Sequence, residues 1–467
     1  MNAAPRPLDG EILREYDIRG RVDANFTPDD VYTIGRAFAA MLRERGGPGD
    51  KMSCAVGYDG RLSSIELEQR LVDGLNDSGV DAVRIGCGPT PMLSFAGATL
   101  GVDAALMITG SHNPPEYNGI KMTLGGKPFY GEDIQALGRV AASGAFVDGQ
   151  GEARDHDIFA TYVDRLLQDF TGGKDLTIAW DPGNGAAGEV VEALAKKLPG
   201  THHIINAKID GTFPAHHPDP TVEKNLEQLK ALVAEKNCDL GFAFDGDGDR
   251  IGVVDGQGRV LWGDQIMVLL ARDVLKELPG ATIIADVKAS QVFVDEIKRL
   301  GGVPLIWMTG HSLIKSKMIE TGAPLAGEMS AHIFFKHRYY GFDDALYAAV
   351  RLMDVVAPAD QTLDQMRDAM PQMKNTPEIR FDCAEDRKFQ VAEEVRERLK
   401  NAEGVEVLTI DGVRVTNADG WWLLRASNTQ AVLVARCESD TDAGLERLKA
   451  QLKAQLALSG IEAPDFD

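Results

Sequence analysis

Residues 240–250 read LGFAFDGDGDR, a short apolar segment followed by a loop in which aspartate and glycine alternate. Its first five residues form a continuous apolar run, which suits a strand buried on both faces in a parallel sheet covered by helices. Between such runs, apolar residues recur at helical spacing, as at Val190, Leu194 and Leu198. The alternation predicts α/β layers. Similar apolar runs stand at 104–109 (AALMIT), 176–181 (LTIAWD) and 282–287 (TIIADV).

A weak internal repeat divides the α/β region further. Each copy is a short apolar strand that ends in aspartate and leads into a polar or glycine-rich loop. The copies are 54–59 (CAVGYD), 178–181 (IAWD) and 283–286 (IIAD). We therefore expect three related α/β domains, at residues 1–155, 156–257 and 258–372.

The C-terminal region follows a different pattern. Two helical patterns flank a series of short strand-like runs, and Asp411-Gly412 between two of these runs is a hairpin signal. We predict a separate α+β domain with an antiparallel sheet at 373–467. Residues 358–371 are rich in Pro and Asp and are expected to form a loose linker before it. The strand-like runs are 378–383, 405–410, 413–415, 421–424 and 431–437.

Composition excludes several classes of protein. A net charge of −22 argues against a protein that binds nucleic acid or an anionic membrane. The five cysteines are scattered without a C-x-x-C pair, which favours reduced thiols over a disulfide framework. The N-terminal residues lack the apolar core that a signal peptide needs, and we expect no membrane-spanning stretch. We expect a cytoplasmic protein. Because the net charge is negative, any phosphate site needs a local cluster of cations.

The loop that opens at Asp245 reads DGDGDR and suggests a metal site. Carboxylates at Asp245, Asp247 and Asp249, separated by glycines, can surround a hard cation, and ligands that are all oxygen favour Mg²⁺ or Ca²⁺. A calcium EF-hand is excluded because its sixth position is Arg250 and its twelfth is Gly256. An acidic surface turn is disfavoured because three close carboxylates repel one another without a cation. The loop therefore predicts a site for a hard divalent cation.

The segment 109–121 (TGSHNPPEYNGIK) follows another buried strand. Its two prolines stiffen the loop and keep Ser111 out of a helix, while His112 and Lys121 supply positive character. A serine hydroxyl can carry a phosphoryl group as an ester. A structural turn, in which Ser and Asn bond the local backbone, is equally open on these residues alone. Because Mg²⁺ usually takes a ligand from a phosphate, a phosphoserine here would link this loop to the aspartates.

Two further loops carry polar residue sets. Residues 327–332 (GEMSAH) offer an acceptor, a hydroxyl and an imidazole that can bind vicinal sugar hydroxyls, although each is also ordinary polar surface. Residues 425–429 (RASNT) suit a phosphate cradle, although by themselves they favour a strand-end turn. ATP- and NAD-binding motifs are absent. Most of the candidate cations stand at strand ends, where open α/β sheets bind ligands. They are Arg19, Lys121, Arg250, Lys288 and Arg425, with His311 and His332 in addition.

Taken together and in this order, the four loops resemble those of the α-D-phosphohexomutase family. EYDIRG at 15–20 and TGHS at 309–312 are also similar to family segments. The resemblance covers nearly the whole chain, and the Glu-Met-Ser of 328–330 is similar to the bacterial phosphomannomutase/phosphoglucomutase branch. It implies three related α/β domains with mixed sheets and a C-terminal α+β domain, all around a central cleft.

The resemblance also implies an intramolecular phosphotransferase and a role for each site residue. Ser111 would carry the phosphoryl group and, with the three aspartates, hold one Mg²⁺ per chain. Lys121 and Arg250 would stabilise charge, and His332, Lys121 and Arg19 are candidates for proton transfer. The implied substrates are glucose and mannose phosphates, with hexose 1,6-bisphosphate as intermediate and activator, acted on by a monomer or weak homodimer. The implied substrate contacts are Tyr16, Lys288, His311, Glu328, Ser330, Arg425, Ser427, Asn428 and Thr429.

Two departures from the family pattern bear on substrate choice. Ala331 stands where glycine is more usual, and Gln430-Ala431 lacks the proline often found after the phosphate loop. A phosphoglucosamine mutase is therefore an alternative, although Met329 stands where that branch usually carries Gln. A phosphatase that loses its phosphoserine to water and a non-catalytic sugar-phosphate sensor are the others. The intact Ser111 and aspartates argue against a sensor, which needs neither.

Overall fold

The computed structural model describes residues 6–45, 51–428 and 430–466. Within these residues the backbone forms four sheets. The first three are mixed and are associated with helices, whereas the fourth is antiparallel. This confirms the predicted fold class of α/β domains followed by an α+β domain. The boundaries placed at 155, 257 and 372 stay a prediction.

The first sheet contains the candidate serine loop. Its strands are β1 (Ile18–Arg21), β2 (Met52–Tyr58), β3 (Val80–Cys87), β4 (Ala104–Ile108), β5 (Tyr117–Leu124), β6 (Lys127–Pro128) and β7 (Ala153–Asp155). Its helices are α1 (Pro28–Arg45), α2 (Ser64–Asn76), α3 (Thr90–Thr99) and α4 (Glu132–Ser143). The strand order is β1-β5-β4-β2-β3-β7, with β6 beside β5.

The second sheet contains the candidate metal loop. Its strands are β8 (Thr177–Asp181), β9 (Thr201–Ile204), β10 (Leu240–Phe244), β11 (Ile251–Asp255) and β12 (Val260–Leu261), in the order β12-β11-β10-β8-β9. Its helices are α5 (Phe159–Leu167), α6 (Gly188–Lys197) and α7 (Glu227–Lys236).

The third sheet contains the candidate sugar loop. Its strands are β13 (Thr282–Asp286), β14 (Val303–Trp307), β15 (Leu325–Gly327) and β16 (Ile333–Phe335), in the order β14-β13-β15-β16. Its helices are α8 (Gly263–Glu277), α9 (Gln291–Arg299), α10 (His311–Thr321), α11 (Ala345–Val356) and α12 (Leu363–Asp368).

The internal repeat corresponds to one shared topology. The repeat strands β2, β8 and β13 each lie between two parallel neighbours. One of those neighbours, β4, β10 or β15, then continues through a polar loop into an antiparallel partner, β5, β11 or β16. The same step in each sheet therefore produces the serine loop, the metal loop and the sugar loop.

The C-terminal sheet contains the candidate phosphate loop. Its strands are β17 (Lys374–Asn375), β18 (Ile379–Asp382), β19 (Glu406–Leu408), β20 (Val413–Asn417), β21 (Gly420–Ala426) and β22 (Val432–Ser439). Its order is β17-β22-β21-β20-β19 with β18 beside β22, and α13 (Glu385–Leu399) and α14 (Asp442–Leu458) belong to the same domain. The predicted hairpin at Asp411-Gly412 connects the antiparallel strands β19 and β20.

The segment 358–371 is more ordered than predicted. Instead of a loose linker, it includes α12, whose first turn is fixed by a hydrogen bond from the Thr362 backbone N–H to Gln365 Oε1 of 3.1 Å. Leu363, Met366 and Met370 from this segment are buried in the main core. The Pro and Asp content hid these apolar residues, which pack on the third sheet's domain. None of the described helices is both long and apolar enough to cross a membrane.

Candidate active site

Ser111 lies at the bottom of its loop, and only 2% of its surface is exposed. Its Oγ donates a hydrogen bond to Asp245 Oδ2 at 2.9 Å and lies 3.2 Å from His112 Nδ1. Its φ of 49° is left-handed, a conformation that non-glycine residues adopt mainly where the surroundings impose it. Burial and the charges of Arg250 and Arg19 hold the pKa of His112 well below its usual range. A neutral ring therefore lies beside the serine.

Arg61, which the sequence analysis missed, fixes the serine loop. Its guanidinium donates to the carbonyl oxygens of Ser111 at 2.7 Å and Asn113 at 2.6 Å. It also donates to the carbonyl oxygens of Pro114 at 2.6 Å and Tyr117 at 2.9 Å. Its Nε donates to Asp59, the aspartate that ends the first repeat strand, and both side chains are buried. The loop is thus shaped by a buried ion pair.

The three aspartates lie together, as predicted. Asp245, Asp247 and Asp249 are buried, and one carboxylate oxygen from each lies within 4.8 Å of the others. Lys121 Nζ contacts Asp247 Oδ2 at 2.7 Å and also Asp249 Oδ2. Burial and the neighbouring carboxylates raise the pKa of Asp245. Burial opposes ionisation of Asp247, but Lys121 and the Thr90 hydroxyl hold its pKa below its usual value.

This cluster fits a divalent cation. Asp247 Oδ1 and Asp249 Oδ1 are buried and accept no hydrogen bond within the described residues. Buried carboxylate oxygens of this kind are costly unless a cation or donor faces them, and Lys121 alone does not balance three carboxylates. All the donor atoms are oxygens, which suits a hard divalent ion.

His332 lies next to the aspartates, but its geometry fits a proton carrier better than a metal ligand. Arg250 Nε donates to His332 Nε2 at 3.0 Å, so Nδ1 carries the ring proton. That Nδ1 lies 3.0 Å from Asp343 Oδ2 and 3.5 Å from Asp249 Oδ1. A protonated Nδ1 has no lone pair for a cation. The predicted positions of Lys121, Arg250 and His332 around Ser111 and the aspartates are therefore consistent with one reacting centre.

Arg19 also reaches this centre. Its guanidinium donates to the Gly110 carbonyl oxygen, next to Ser111, and pairs with Asp17. Its Nε is buried and donates to no partner within the described residues. Arg19 therefore holds the serine loop and retains a donor for a further group.

Tyr16 joins three parts of the chain. Its hydroxyl donates to the Thr309 carbonyl oxygen at 2.8 Å and accepts a hydrogen bond from Asn428 Nδ2. The His311 ring lies 6.0 Å from the Tyr16 ring and 5.5 Å from the His332 ring, measured between centroids. These contacts connect the sugar-loop side of the site with the reacting centre.

Glu328 is buried at the start of the sugar loop. Its Oε1 accepts from the Gly310 backbone N–H at 2.7 Å, and its own N–H donates to the His332 carbonyl oxygen at 2.9 Å. Ser330 is half-buried in the same turn. Ala331 adopts a left-handed φ of 68°, the conformation that the glycine usual in the family would adopt without strain.

Arg425 and Lys288 are the cations of the C-terminal side. Arg425 is 5% exposed, and its Nε donates to Asp411 Oδ2 at 3.0 Å. Lys288 Nζ donates to Glu378 Oε2 at 2.9 Å, and Asp286 Oδ2 lies 3.5 Å away. Burial raises the pKa of Asp286 to about 6, with Lys288 opposing that shift. Both cations are therefore paired with carboxylates in this structure.

The rest of the phosphate loop is described in part. The Gln430 backbone N–H donates to Ser427 Oγ at 3.2 Å, which closes the turn. Asn428 contacts Tyr16 from the first sheet's domain. Thr429 lies outside the described residues.

Comparison with known proteins identifies the family. Models for the three alpha/beta/alpha domains and the C-terminal domain of phosphoglucomutase/phosphomannomutase match residues 10–147, 160–258, 262–373 and 378–455. The chain is 43% identical to a phosphomannomutase/phosphoglucomutase of Pseudomonas aeruginosa, with 98% of each covered. It is 42% identical to a phosphoglucomutase of Neisseria gonorrhoeae, covering 95% of this chain and 96% of that one.

A solved structure gives the same result. The fold matches that of a phosphoglucomutase/phosphomannomutase family protein from Burkholderia thailandensis with a TM-score of 0.92 and 40% identity, covering 98% of this chain and 99% of that chain. Three of the loops that carry the resemblance, the serine, metal and sugar loops, contact one another around Ser111 and the aspartates, and the phosphate loop contacts Tyr16. The chain therefore belongs to the phosphoglucomutase/phosphomannomutase family, in its bacterial branch.

Proposed function

We propose that this protein, a hexose-phosphate mutase by family, moves a phosphoryl group between C1 and C6 of glucose or mannose phosphate through a phosphoserine at Ser111. The observation that carries the proposal is the contact of Ser111 Oγ with Asp245 inside the aspartate cluster. A phosphoryl group on that oxygen would place an anion between the metal loop and the cations Lys121, Arg250 and Arg19. This is the arrangement that phosphoryl transfer needs, because positioning and electrostatics supply most of its catalysis.

The transfer has two halves. The phosphoryl group passes from Ser111 Oγ to the free hydroxyl of a hexose monophosphate, and a hexose 1,6-bisphosphate forms. The P–O bond to Ser111 breaks as the bond to the sugar oxygen forms, and the proton that the sugar hydroxyl loses is balanced by the proton that Ser111 Oγ gains. The bisphosphate turns over in the site, and its other phosphoryl group returns to Ser111, leaving the isomeric monophosphate. Asp245, Asp247 and Asp249 would hold Mg²⁺, which would supply positive charge that withdraws electron density from the transferring group.

His332 suits the proton transfer. Its Nε2, which accepts a hydrogen bond from Arg250 in this structure, carries the lone pair that takes the proton of the attacking sugar hydroxyl. Asp343 faces the protonated Nδ1 and stabilises the imidazolium that results. Lys121 and Arg250 remain charged and offset the negative charge on the phosphoryl oxygens.

Recognition falls to the C-terminal side of the site. Arg425, Ser427, Asn428 and Thr429 hold the phosphate that is not reacting. Glu328 and Ser330 bind sugar hydroxyls in either orientation of the substrate. Tyr16, His311 and Lys288 complete the contacts. Tyr16 contacts Asn428 of the phosphate loop, His311 lies beside His332 of the sugar loop, and Lys288 pairs with Glu378 just before the C-terminal sheet.

A coupled assay tests the proposal and separates it from its alternatives. Glucose 1-phosphate, mannose 1-phosphate and glucosamine 1-phosphate are compared, with and without added glucose 1,6-bisphosphate. We expect conversion of the glucose and mannose compounds to 6-phosphates, little activity on the glucosamine compound, and stimulation by the bisphosphate. Release of inorganic phosphate in place of isomer would indicate a phosphatase. Binding without turnover would indicate a sensor.

The proposal includes a cytoplasmic location and a monomer or weak homodimer. The five cysteines are all free thiols, which agrees with a reducing compartment. Light scattering on the eluting protein at two concentrations tests the oligomeric state, and a stable, concentration-independent higher oligomer would contradict it.

A further inference from the structure

The loop that carries Lys288 is bound along its backbone by the C-terminal domain. This loop runs from the end of β13 to the start of α9. Arg414 Nη1 donates to the carbonyl oxygens of Val287 and Ala289, each at 2.8 Å. Arg436 Nη1 donates to the carbonyl oxygen of Lys288 itself at 2.6 Å. Side chains of β20 and β22 therefore contact three successive carbonyl groups of a loop in another domain.

The helix that follows this loop is also capped from the C-terminal domain. Glu438 Oε1 accepts from the backbone N–H of Gln291, the first residue of α9, at 2.8 Å. Carboxylates favour helix N-termini because unpaired N–H groups and the helix dipole meet there. The loop around Lys288 is thus held at its carbonyl groups by arginines and at its far end by a carboxylate.

These side chains are rigidly placed. Arg414, Arg436 and Glu438 are each at most 4% exposed. The Arg414 guanidinium lies 3.8 Å from the centroid of the Trp421 ring, and Trp421 Nε1 donates to Glu438 Oε1 at 2.8 Å. Trp421 belongs to a small buried cluster that includes Val287, apart from the main core of its own domain. The buried set therefore contacts the loop of the neighbouring domain as well as its own sheet.

The side chain of Lys288 is held from the same side. Its Nζ donates to Glu378, which lies just before β18 of the C-terminal sheet. The backbone and the ammonium group of Lys288 are therefore both bound by residues that follow the third α/β domain. The position of Lys288 in the site must follow the position of the C-terminal domain.

We propose that Arg414, Arg436 and Glu438 are positioning residues that set Lys288 for contact with the phosphate of the substrate. The inference rests on the proposed function, since it assigns Lys288 a substrate contact. We call Arg414, Arg436 and Glu438 together the clasp. The C-terminal domain then positions two cationic groups: Arg425 on its own phosphate loop and, through the clasp, Lys288 of the neighbouring domain. The alternative is that the three residues only stabilise the interface between the two domains.

A double-mutant cycle in the full chain separates the two accounts. Arg414→Met keeps an unbranched stem over Trp421 but loses both loop hydrogen bonds, and Lys288→Met removes the ammonium group. We expect each single change to lower kcat/KM for glucose 1-phosphate by about tenfold, as for loss of a hydrogen bond from a charged group. With Lys288 already replaced, Arg414→Met should cost less than about twofold, because its effect passes through that residue. Effects that multiply fully would overturn the proposal.

The matched control is Arg447→Met in the same domain. Arg447 pairs with Asp419 on the surface, its side chain is 58% exposed, and the same chemical change there should leave kcat/KM within about twofold of wild type. A loss equal to that of Arg414→Met would show that the domain responds to any lost arginine, and would overturn the proposal.

Hydrogen exchange gives a readout that does not depend on the reaction. The peptide that spans residues 286–293 should exchange markedly faster in Arg414→Met and in Glu438→Ala, but not in Arg447→Met. Unchanged exchange in that peptide would overturn the clasp even if activity fell. If the wild-type protein lacks mutase activity, the proposed function fails, and the exchange measurement still decides whether the clasp holds the loop.

Discussion

The serine loop and the phosphate loop are held in different ways. Ser111 sits among α/β domains that share one continuous apolar core, which includes residues as far apart as Ala55, Trp180 and Leu269. Arg425 sits in a domain with its own core, and that domain meets its neighbour largely through buried charged side chains. Polar interfaces between domains permit relative movement more readily than shared apolar cores. The part of the site around Ser111 is therefore pre-organised, whereas the part around Arg425 can change position with the C-terminal domain.

This difference divides the expected effects of mutation. Changes around Ser111 should reduce turnover, because the groups there act on the transferring phosphoryl group. Changes around Arg425 should reduce substrate capture and retention of the bisphosphate, because the groups there hold the other phosphate. The predictions that follow test that division, from the largest effect to the smallest.

Asp247→Asn should have the largest effect. Asp247 has one buried carboxylate oxygen that accepts no hydrogen bond within the described residues. The change to Asn keeps the size and shape of the side chain but removes its charge. Loss of one electrostatic stabiliser costs roughly 10²–10³ in turnover. Steady-state kinetics across a Mg²⁺ titration measure the loss, and Asp164→Asn on the surface is the control. Wild-type turnover at limiting Mg²⁺ would contradict the metal site.

Arg61→Lys should come next. Lysine has at most three donors on one atom, so several of the carbonyl groups that Arg61 now binds would be left without a partner. We expect a loss of about 2–4 kcal/mol in the free energy of unfolding, as for a damaged buried ion pair, together with lower turnover. Denaturant unfolding and kinetics on the same sample measure both. Normal turnover in a fully folded variant would show that the loop holds its own shape.

Arg425→Lys should affect the other end of the site. A lysine cannot reproduce the forked contact of a guanidinium with phosphate, so KM should rise by about tenfold while kcat stays within a few-fold, and Arg425→Ala should be worse. The variant should also need added glucose 1,6-bisphosphate, because an escaped intermediate leaves Ser111 unphosphorylated. Free bisphosphate is measured alongside activity. Unaltered KM and activator dependence would mean that the phosphate loop is only a structural turn.

Ala331→Gly should have the smallest effect. Glycine relieves the left-handed strain at this position, but it also makes the unfolded chain more flexible, so the net change in unfolding free energy should be within about 1 kcal/mol. Thermal unfolding measures the change, and relative kcat/KM for glucose and mannose phosphates shows whether the loop path affects substrate choice. A large change in the ratio of kcat/KM for glucose phosphate to that for mannose phosphate, in either direction, would show that Ala331 is a specificity residue.

The sequence predicted the elements that depend on local pattern. The apolar runs before Thr109, Asp245 and Val287 became buried strands, because a strand covered on both faces needs little more than continuous apolar side chains. The repeat of a strand ending in aspartate corresponds to an interior strand of each mixed sheet, with a parallel neighbour on either side. The metal loop was predicted because its own residues carry its chemistry.

The sequence did not predict contacts that depend on distant residues. Arg61 lies in the stretch RLSS, which has the composition of an exposed turn, and its burial depends on the serine loop and on residues such as Phe213, far along the chain. Asp343 next to His332 and Arg414 on the Lys288 loop were missed for the same reason. The strand that ends at Asp59 is the one local signal near Arg61, and its pattern indicates topology alone.

Transfer of phosphate through Ser111 is the central claim, and a single-turnover label experiment tests it most directly. Unphosphorylated protein is incubated with ³²P-labelled glucose 1,6-bisphosphate and freed of small molecules, and the labelled peptide is mapped. Unlabelled glucose 1-phosphate is then added and followed by rapid quench. We predict label on Ser111 that passes into hexose bisphosphate and glucose 6-phosphate at least as fast as steady-state turnover. Label on another residue, label that stays on the protein, or label released as inorganic phosphate would contradict the account.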